Sequence, residues 1–257
     1  MPHPSITAQT YPHKPAIVMA NSGEMVTYGQ LDERSNQGAQ LFRSLGLKAG
    51  DHIGMMLENN RQFLEICWAA QRSGLIFTPI STHLKQDETA YILKSCGAKL
   101  FIGSLKLADV AQQILQNAGD VEHFYMVGGI RDGFESWEVD CDMQATTPID
   151  DQSHGMPMVY SSGTTGQPKG VFQAAPDEDV FAPHFLAGTI GAGFGFGEET
   201  VYLSPAPLYH AAPLHYNMMC LYQGGTSIVM EHFDPERALQ LIQEHRITHS
   251  QWVPIMF

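Results

Sequence analysis

The sequence predicts an α/β fold of mostly parallel sheets flanked by helices. Three observations carry this expectation. Short apolar runs alternate one for one with helical periods between residues 52 and 127. A single helix between two strands calls for a crossover connection, which makes neighbouring strands parallel. With 257 residues, 44% of them hydrophobic, the chain is ample for a large core.

The elements follow in order. Thr27, with Gln30 three residues on, makes a T-x-x-Q capping box. Behind it Tyr28, Leu31, Ser35, Ala39, Phe42 and Leu45 recur at helical spacing, and Gly46 supplies the stop. Residues 52–57 read as a buried strand, 61–72 as a helix with Phe63, Cys67 and Ala70 on one face, and 75–80 as a second strand. The alternation continues with a helix over 86–95, a strand over 99–103, a helix over 106–117 and a strand over 123–127. The Asp-rich stretch 128–155 has no clear period and is expected to be an irregular surface connection. Residues 156–160 form a fifth apolar run that feeds directly into a loop of Ser, Gly and Thr. Beyond the loop, 201–204 and 226–230 read as strands, and 234–245 as an amphipathic helix with Pro235 at its first position after an Asp cap. Residues 248–257 are apolar and close on Trp252 to Phe257, so the end is read as a truncation inside a buried element. The expected organisation is an N-terminal segment (1–50) packing with 201–257, an α/β lobe (51–200) ending in the loop at 161–171, and the truncated start of a second lobe (201–257). Unpaired sheet edges and exposed apolar surface, hence poor solubility, follow from that reading.

Charge narrows the partners. Lys and Arg total 14 against 27 Asp and Glu, a formal charge of −13 that repels nucleic acid at long range. A local anion site remains open to such a chain, because backbone N–H groups bind phosphate without a basic surface. Cys67, Cys96, Cys141 and Cys220 lie far apart with no metal-ligand spacing and read as buried free thiols. His210 and His215 are five residues apart, which is not a zinc spacing, and no metal ligand is proposed. The first fourteen residues lack an apolar signal core, and 181–197, with Pro183, His184 and five glycines, would make a poor helix in lipid. A cytoplasmic setting is expected. Weak peripheral membrane association through 181–197 is compatible with this, although Asp177, Glu178 and Asp179 would oppose anionic lipid.

The loop carries the chemistry. Glycines at 163, 166 and 170 let the backbone turn and approach a ligand, Ser161, Ser162, Thr164 and Thr165 bring four hydroxyls, and Lys169 adds a point charge. A plain flexible linker needs no such order of residues. A Walker A loop is excluded, because Pro168 stands where its second glycine belongs and Gly170 replaces its Ser or Thr.

The run YSSGTTGQPKGV over 160–171 resembles the signature of the adenylate-forming superfamily, most closely that of acyl-CoA synthetases. Other segments are similar in order and position: Val26-Thr27-Tyr28-Gly29-Gln30-Leu31, Glu58-Asn59-Asn60, Trp68-Ala69-Ala70, Pro207-Leu208-Tyr209-His210 and Phe233-Asp234-Pro235-Glu236. The resemblance implies an incomplete N-terminal large domain of the adenylate-forming fold. It implies ATP-dependent activation of a carboxylic acid, fatty or aryl, to an acyl-adenylate, then transfer to the thiol of CoA. By the same resemblance Ser161, Ser162, Gly163, Thr164, Thr165, Gly166 and Lys169 would hold the phosphates of ATP, and His210 would sit near the acyl carboxylate and the α-phosphate. His210 is not given general-base duty, since the attacking carboxylate is already ionised. The family's later segment, whose Glu helps bind Mg²⁺, its ribose-binding Asp and its small C-terminal domain are not found in this sequence. This polypeptide alone is therefore expected to bind ATP weakly and to catalyse nothing. The other function weighed is a non-catalytic nucleotide-binding half-module; an unrelated kinase or NTPase lacks its Lys-Ser/Thr pair here.

Overall fold

The alternation read over residues 52–127 folds as a sheet in which each strand runs parallel to its neighbours. The computed structural model describes residues 3–161, 168–172, 180–181 and 190–257. In chain order the elements are α1 (Pro4–Thr10), β1 (Pro15–Met19), β2 (Met25–Thr27), α2 (Tyr28–Ser44), β3 (His52–Met56), α3 (Arg61–Arg72) and β4 (Ile76–Pro79). There follow α4 (Gln86–Cys96), β5 (Ala98–Ser104), α5 (Ala108–Ile114), β6 (His123–Val127), β7 (Glu135–Ser136), α6 (Trp137–Asp142), β8 (Met156–Pro157), β9 (Val159–Ser161) and β10 (Lys169–Val171). The last are α7 (Gly191–Gly193), β11 (Val201–Ser204), α8 (Ala211–Tyr222), β12 (Thr226–Val229), α9 (Pro235–Glu244) and β13 (His249–Ser250). They group into a first unit of Met1–Glu33, Asn59–Leu64 and Phe181–Phe257 and a second of Arg34–Glu58 and Glu65–Val180.

The second unit contains the six-stranded sheet β7-β6-β5-β3-β4-β8, parallel throughout. Met56, Ile92, Leu93, Phe101, Ile114, Met126 and Phe134 make one of its cores, so the strands and the inner stripes of α4 and α5 bury each other. Gly155 shows how tightly the far edge is closed. A β-carbon there would lie 2.4 Å from the carbonyl oxygens of both Ala70 and Leu75, closer than side-chain carbons approach backbone.

Three expectations are corrected in this unit. The stretch 128–155 is not wholly irregular: β7 adds an edge strand, and Ser136 caps α6 by accepting from the Val139 N–H at 3.3 Å. Both elements are too short to show a period, and Trp137, packed 5.6 Å from Phe42 and 6.1 Å from Tyr125, holds them. The helix expected over 106–117 starts at Ala108 after a 3₁₀ turn over Leu105–Leu107. Ser104, the residue that could cap it, donates its hydroxyl to Glu58 instead. The run 156–160 is two strands rather than one. Met156 and Pro157 extend the main sheet beside β4, with Met158 N–H still bonded to Phe77 O at 2.9 Å, and the chain then leaves for a separate hairpin. Pro157 has no N–H to offer a further strand, which suits an edge.

In the first unit the sheet order is β13-β11-β12-β1-β2, parallel except for the antiparallel β1–β2 pair at one edge. Its outer core joins Leu203, Ile228 and Met230 to Ala238 and Leu241 of α9. Asp234 caps α9 by accepting from Arg237 N–H at 2.7 Å, with Pro235 at the first position. The capping box of α2 is present in both halves, Thr27 N–H to Gln30 Oε1 at 2.9 Å and Gln30 N–H to Thr27 Oγ1 at 3.3 Å. Tyr28 is fully buried and donates to Gly225 O at 2.6 Å. Burial first, and then the Cys220 and Glu198 charges, push its phenol well above the usual range.

Three features bear on the wider expectations. All four cysteines are free and buried. Among the described residues no helix is long and apolar enough to cross a membrane, and no group of three His, Cys, Asp or Glu could hold a metal ion. Of the stretch 181–197, residues 182–189 lie outside the described residues.

Candidate functional site

The chain around the Ser/Gly/Thr run is a hairpin. β9 and β10 pair antiparallel with Lys169 opposite Ser161, Gly170 opposite Tyr160 and Val171 opposite Val159. Two of the residues singled out in the sequence are thus cross-strand partners at the mouth of the connection. The Ser161 hydroxyl donates to the Lys169 carbonyl at 3.4 Å, and both side chains are on the exposed surface. Ser162, Gly163, Thr164, Thr165 and Gly166 lie outside the described residues.

The root of the hairpin is apolar and anchored. Met158 and Tyr160 pack on the core of the second unit, and the Tyr160 hydroxyl donates to Ser95 Oγ at 3.0 Å. Burial raises the Tyr160 pKa, so the hydroxyl keeps its proton and its role as a donor. Gly170, read in the sequence as a point of backbone approach to a ligand, has a nearer task. A β-carbon there would stand 2.2 Å from Met158 Cε and 3.1 Å from Tyr160 Cζ, so its lack of a side chain lets those two cross the hairpin.

His210 belongs to the first unit. It is exposed and forms the N-cap residue of α8, with φ −87° and ψ 149°. Its ring lies against Tyr209 with centroids 4.6 Å apart. It is therefore no core histidine. It stands at the C-terminal end of a parallel strand and at the positive end of a twelve-residue helix, where an anion is favoured.

The turn that presents it is held by a residue whose role the sequence did not disclose. Asn59 accepts from Leu208 N–H at 2.8 Å and donates to Ala206 O at 3.2 Å and to Met230 O at 2.8 Å. Farther along, the fully buried Asn217 of α8 donates to Ser204 Oγ at 2.7 Å and accepts from the Ser227 hydroxyl. The sequence showed Asn59 only as part of a similar segment, and three long-range bonds leave no periodic mark.

Other polar features are otherwise occupied or wrongly placed. In the second unit, connections from β3 and β5 leave in opposite directions, the kind of point where α/β sheets bind ligands. There the Glu58 carboxylate is already engaged by Ser104 at 2.5 Å and by Lys106 at 3.8 Å. An open cleft of about 670 Å³ in the first unit is lined by Tyr11, His13, Lys14, Glu198, Glu199 and Thr226. It lies at the N-terminal ends of β1, β11 and β12, the pole opposite His210.

Comparison with known proteins gives consistent matches. Residues 5–257 match the family model described as AMP-binding enzyme. The chain is 28% identical over 265 residues to the crotonobetaine/carnitine–CoA ligase of Escherichia coli O1:K1 / APEC, covering 97% of this chain and 50% of that protein. Among solved structures, a long-chain-fatty-acid-CoA ligase (FadD1) from Archaeoglobus fulgidus superposes with a TM-score of 0.86 at 21% identity, over 98% of this chain and 51% of that one. A Mycobacterium tuberculosis fatty acyl CoA synthetase does so with 0.84 at 24% identity, over 98% and 49%. The chain spans about half the length of the curated relatives it matches.

Proposed function

We propose, since this chain belongs to the family of AMP-binding enzymes, that it forms the phosphate-gripping part of an acid–thiol ligase. The observation that carries this reading is the β9–β10 hairpin, whose stem sets Ser161 and Lys169 across from each other at the mouth of the SGTTGQP connection. A pair of strands rooted in a core holds a ligand-binding loop more firmly than a linker would.

In the reaction, a carboxylate oxygen attacks the α-phosphorus of ATP and the bond to pyrophosphate breaks, leaving an acyl-adenylate. The thiol of CoA then attacks the acyl carbon, AMP departs and a thioester remains. The substrates of the named relatives make a fatty or other small carboxylic acid the class to expect here. Ser161, Ser162, Gly163, Thr164, Thr165, Gly166 and Lys169 hold the phosphates through hydroxyls, N–H groups and one ammonium. His210, exposed at the N-terminus of α8, faces the reacting carboxylate and α-phosphate and helps keep two anions together. Mg²⁺ would supply further neutralisation of phosphate charge when bound, but no group of three His, Cys, Asp or Glu among the described residues fits it. Four buried free thiols accord with a cytoplasmic setting.

A second reading is a nucleotide-binding half-module without catalysis. Both readings expect this polypeptide to bind ATP weakly and to release no pyrophosphate with any acid of a broad panel. Calorimetric titration with ATP tests the shared claim. Gly166→Val should abolish binding, while Lys169→Ala should weaken it only a few-fold, since several donors share the load. Unchanged binding in Gly166→Val would remove the hairpin from the site. Acid-dependent pyrophosphate release by this chain would reject the half-module and, with it, the expectation that this polypeptide catalyses nothing alone.

A further inference from the structure

We propose that Asn59 is a positioning residue for His210, an inference that rests on the reading of His210 given above. The segment between β11 and α8 contains Pro205 and Pro207, which have no N–H to donate. Ala206 and Leu208 between and after them are buried, at 4% and 0% exposure, and their polar backbone groups need partners. Asn59, itself 6% exposed, supplies them with one primary amide. Its oxygen takes the Leu208 N–H, and its two N–H groups reach Ala206 O and Met230 O. That pattern of one acceptor and two donors is met in full only by asparagine at this reach. Aspartate lacks the donors, serine has one, and glutamine is longer by a methylene.

The bonds have a direction of effect. Met230 follows β12, and its N–H is fixed to Ser204 O at 3.0 Å, so Asn59 ties the turn to the exit of the neighbouring strand. Leu208 lies inside the tight turn closed by His210 N–H to Pro207 O at 3.2 Å. His210 then opens α8, with Leu214 N–H on its carbonyl at 3.1 Å. The backbone that carries the His210 ring is therefore set by three hydrogen bonds from the side chain of Asn59.

The test is made on the 257-residue chain with Asn59→Ala, against Leu241→Ala as a control that loosens the core of the same unit without removing any hydrogen bond of the turn. Histidine-selective NMR, amide exchange and ATP titration are read together. Asn59→Ala should shift the His210 Hε1 and Tyr209 ring signals, speed exchange at the Leu208 N–H by about tenfold or more, and weaken ATP binding. Leu241→Ala should do none of these at equal loss of stability. If Asn59→Ala does not fold, Asn59→Ser is read in the same way. His210 signals and Leu208 exchange that match the control would overturn the proposal. If they move as expected but neither Asn59→Ala nor His210→Ala alters ATP affinity, the positioning stands and the functional reading of His210 falls.

Discussion

The two units are built from the same parts and specified in different ways. In the second, helices such as α4 carry one buried stripe, Thr89, Ala90, Ile92, Leu93 and Cys96, and leave the other face to water. Burial alone then fixes how the helix is turned. In the first, α8 is apolar on nearly every side, with Leu214, Met219, Cys220, Leu221 and Tyr222 all buried, so burial cannot choose a rotation. Polar pins choose it: Asn217 to Ser204 and Ser227 within the helix packing, and Asn59 on the turn before it. In α4, where the hydrophobic pattern is unambiguous, the polar face can stay outside; in α8, where it is uniform, a few buried amides carry the specificity.

This contrast can be broken at its steric end first. Gly155→Ala in the second unit should cost on the order of 4 kcal/mol, because a methyl meets backbone on two sides and no side chain can yield. Urea unfolding reads it, and a loss below about 1 kcal/mol would mean that the edge strand can slide without penalty. Next, Asn217→Ala in the first unit should cost about 3 kcal/mol, since it strands the hydroxyls of Ser204 and Ser227 in the core. A near-neutral result would show that apolar contacts orient α8 unaided.

The smallest effect is a pH dependence confined to the second unit. Burial lowers the His52 pKa from its ordinary value near 6.5, against a smaller upward pull from Asp51. A base held below its unfolded pKa binds fewer protons when folded. Its contribution is therefore complete above about pH 6.5 and is lost as pH falls below that through the folded value. Asp51 does not confuse this window. Burial pushes its carboxyl up, but Lys99 at 2.8 Å and Lys48 more than reverse that, so its own loss comes only below the usual carboxylate range. Unfolding midpoints at pH 7.5 and 5.5 should differ less in His52→Gln than in the parent chain. Equal slopes would assign the dependence to other groups.

The same contrast decides what could be read from the chain. The helix over 61–72 and the strand over 123–127 were legible because period and breakers agree there. The Asn60 cap, which accepts from Phe63 N–H at 3.0 Å, adds to that agreement. Helix α8 was not legible, for want of a polar face, and neither were β1 and β2, whose five and three residues are too few to establish an alternation. The break at Pro157 was hidden because the apolar run continues through it. At the candidate site, the residue types of the loop were plain, whereas β10 was not foreseen. Lys169, Gly170 and Val171 are all exposed and pair only because Met158 and Tyr160 anchor the other strand. Asn59 could be found only from its partners, nearly 150 and more residues away.

The pairing of β1 with β12 has a consequence in time. Ile17 meets Ser227, 210 positions later, whereas the longest-range pairing in the other sheet, Ile76 with Met156, spans 80. A ribosome adding about 5–20 residues per second needs roughly 10–40 s to cover the longer span. Through that interval Ala16, Ile17, Val18 and Met19 have emerged, and the strand that will cover one edge of them does not yet exist. The strand made first is among the last to be sealed, and synthesis speed, as much as sequence, governs how long that apolar edge stays open to other chains.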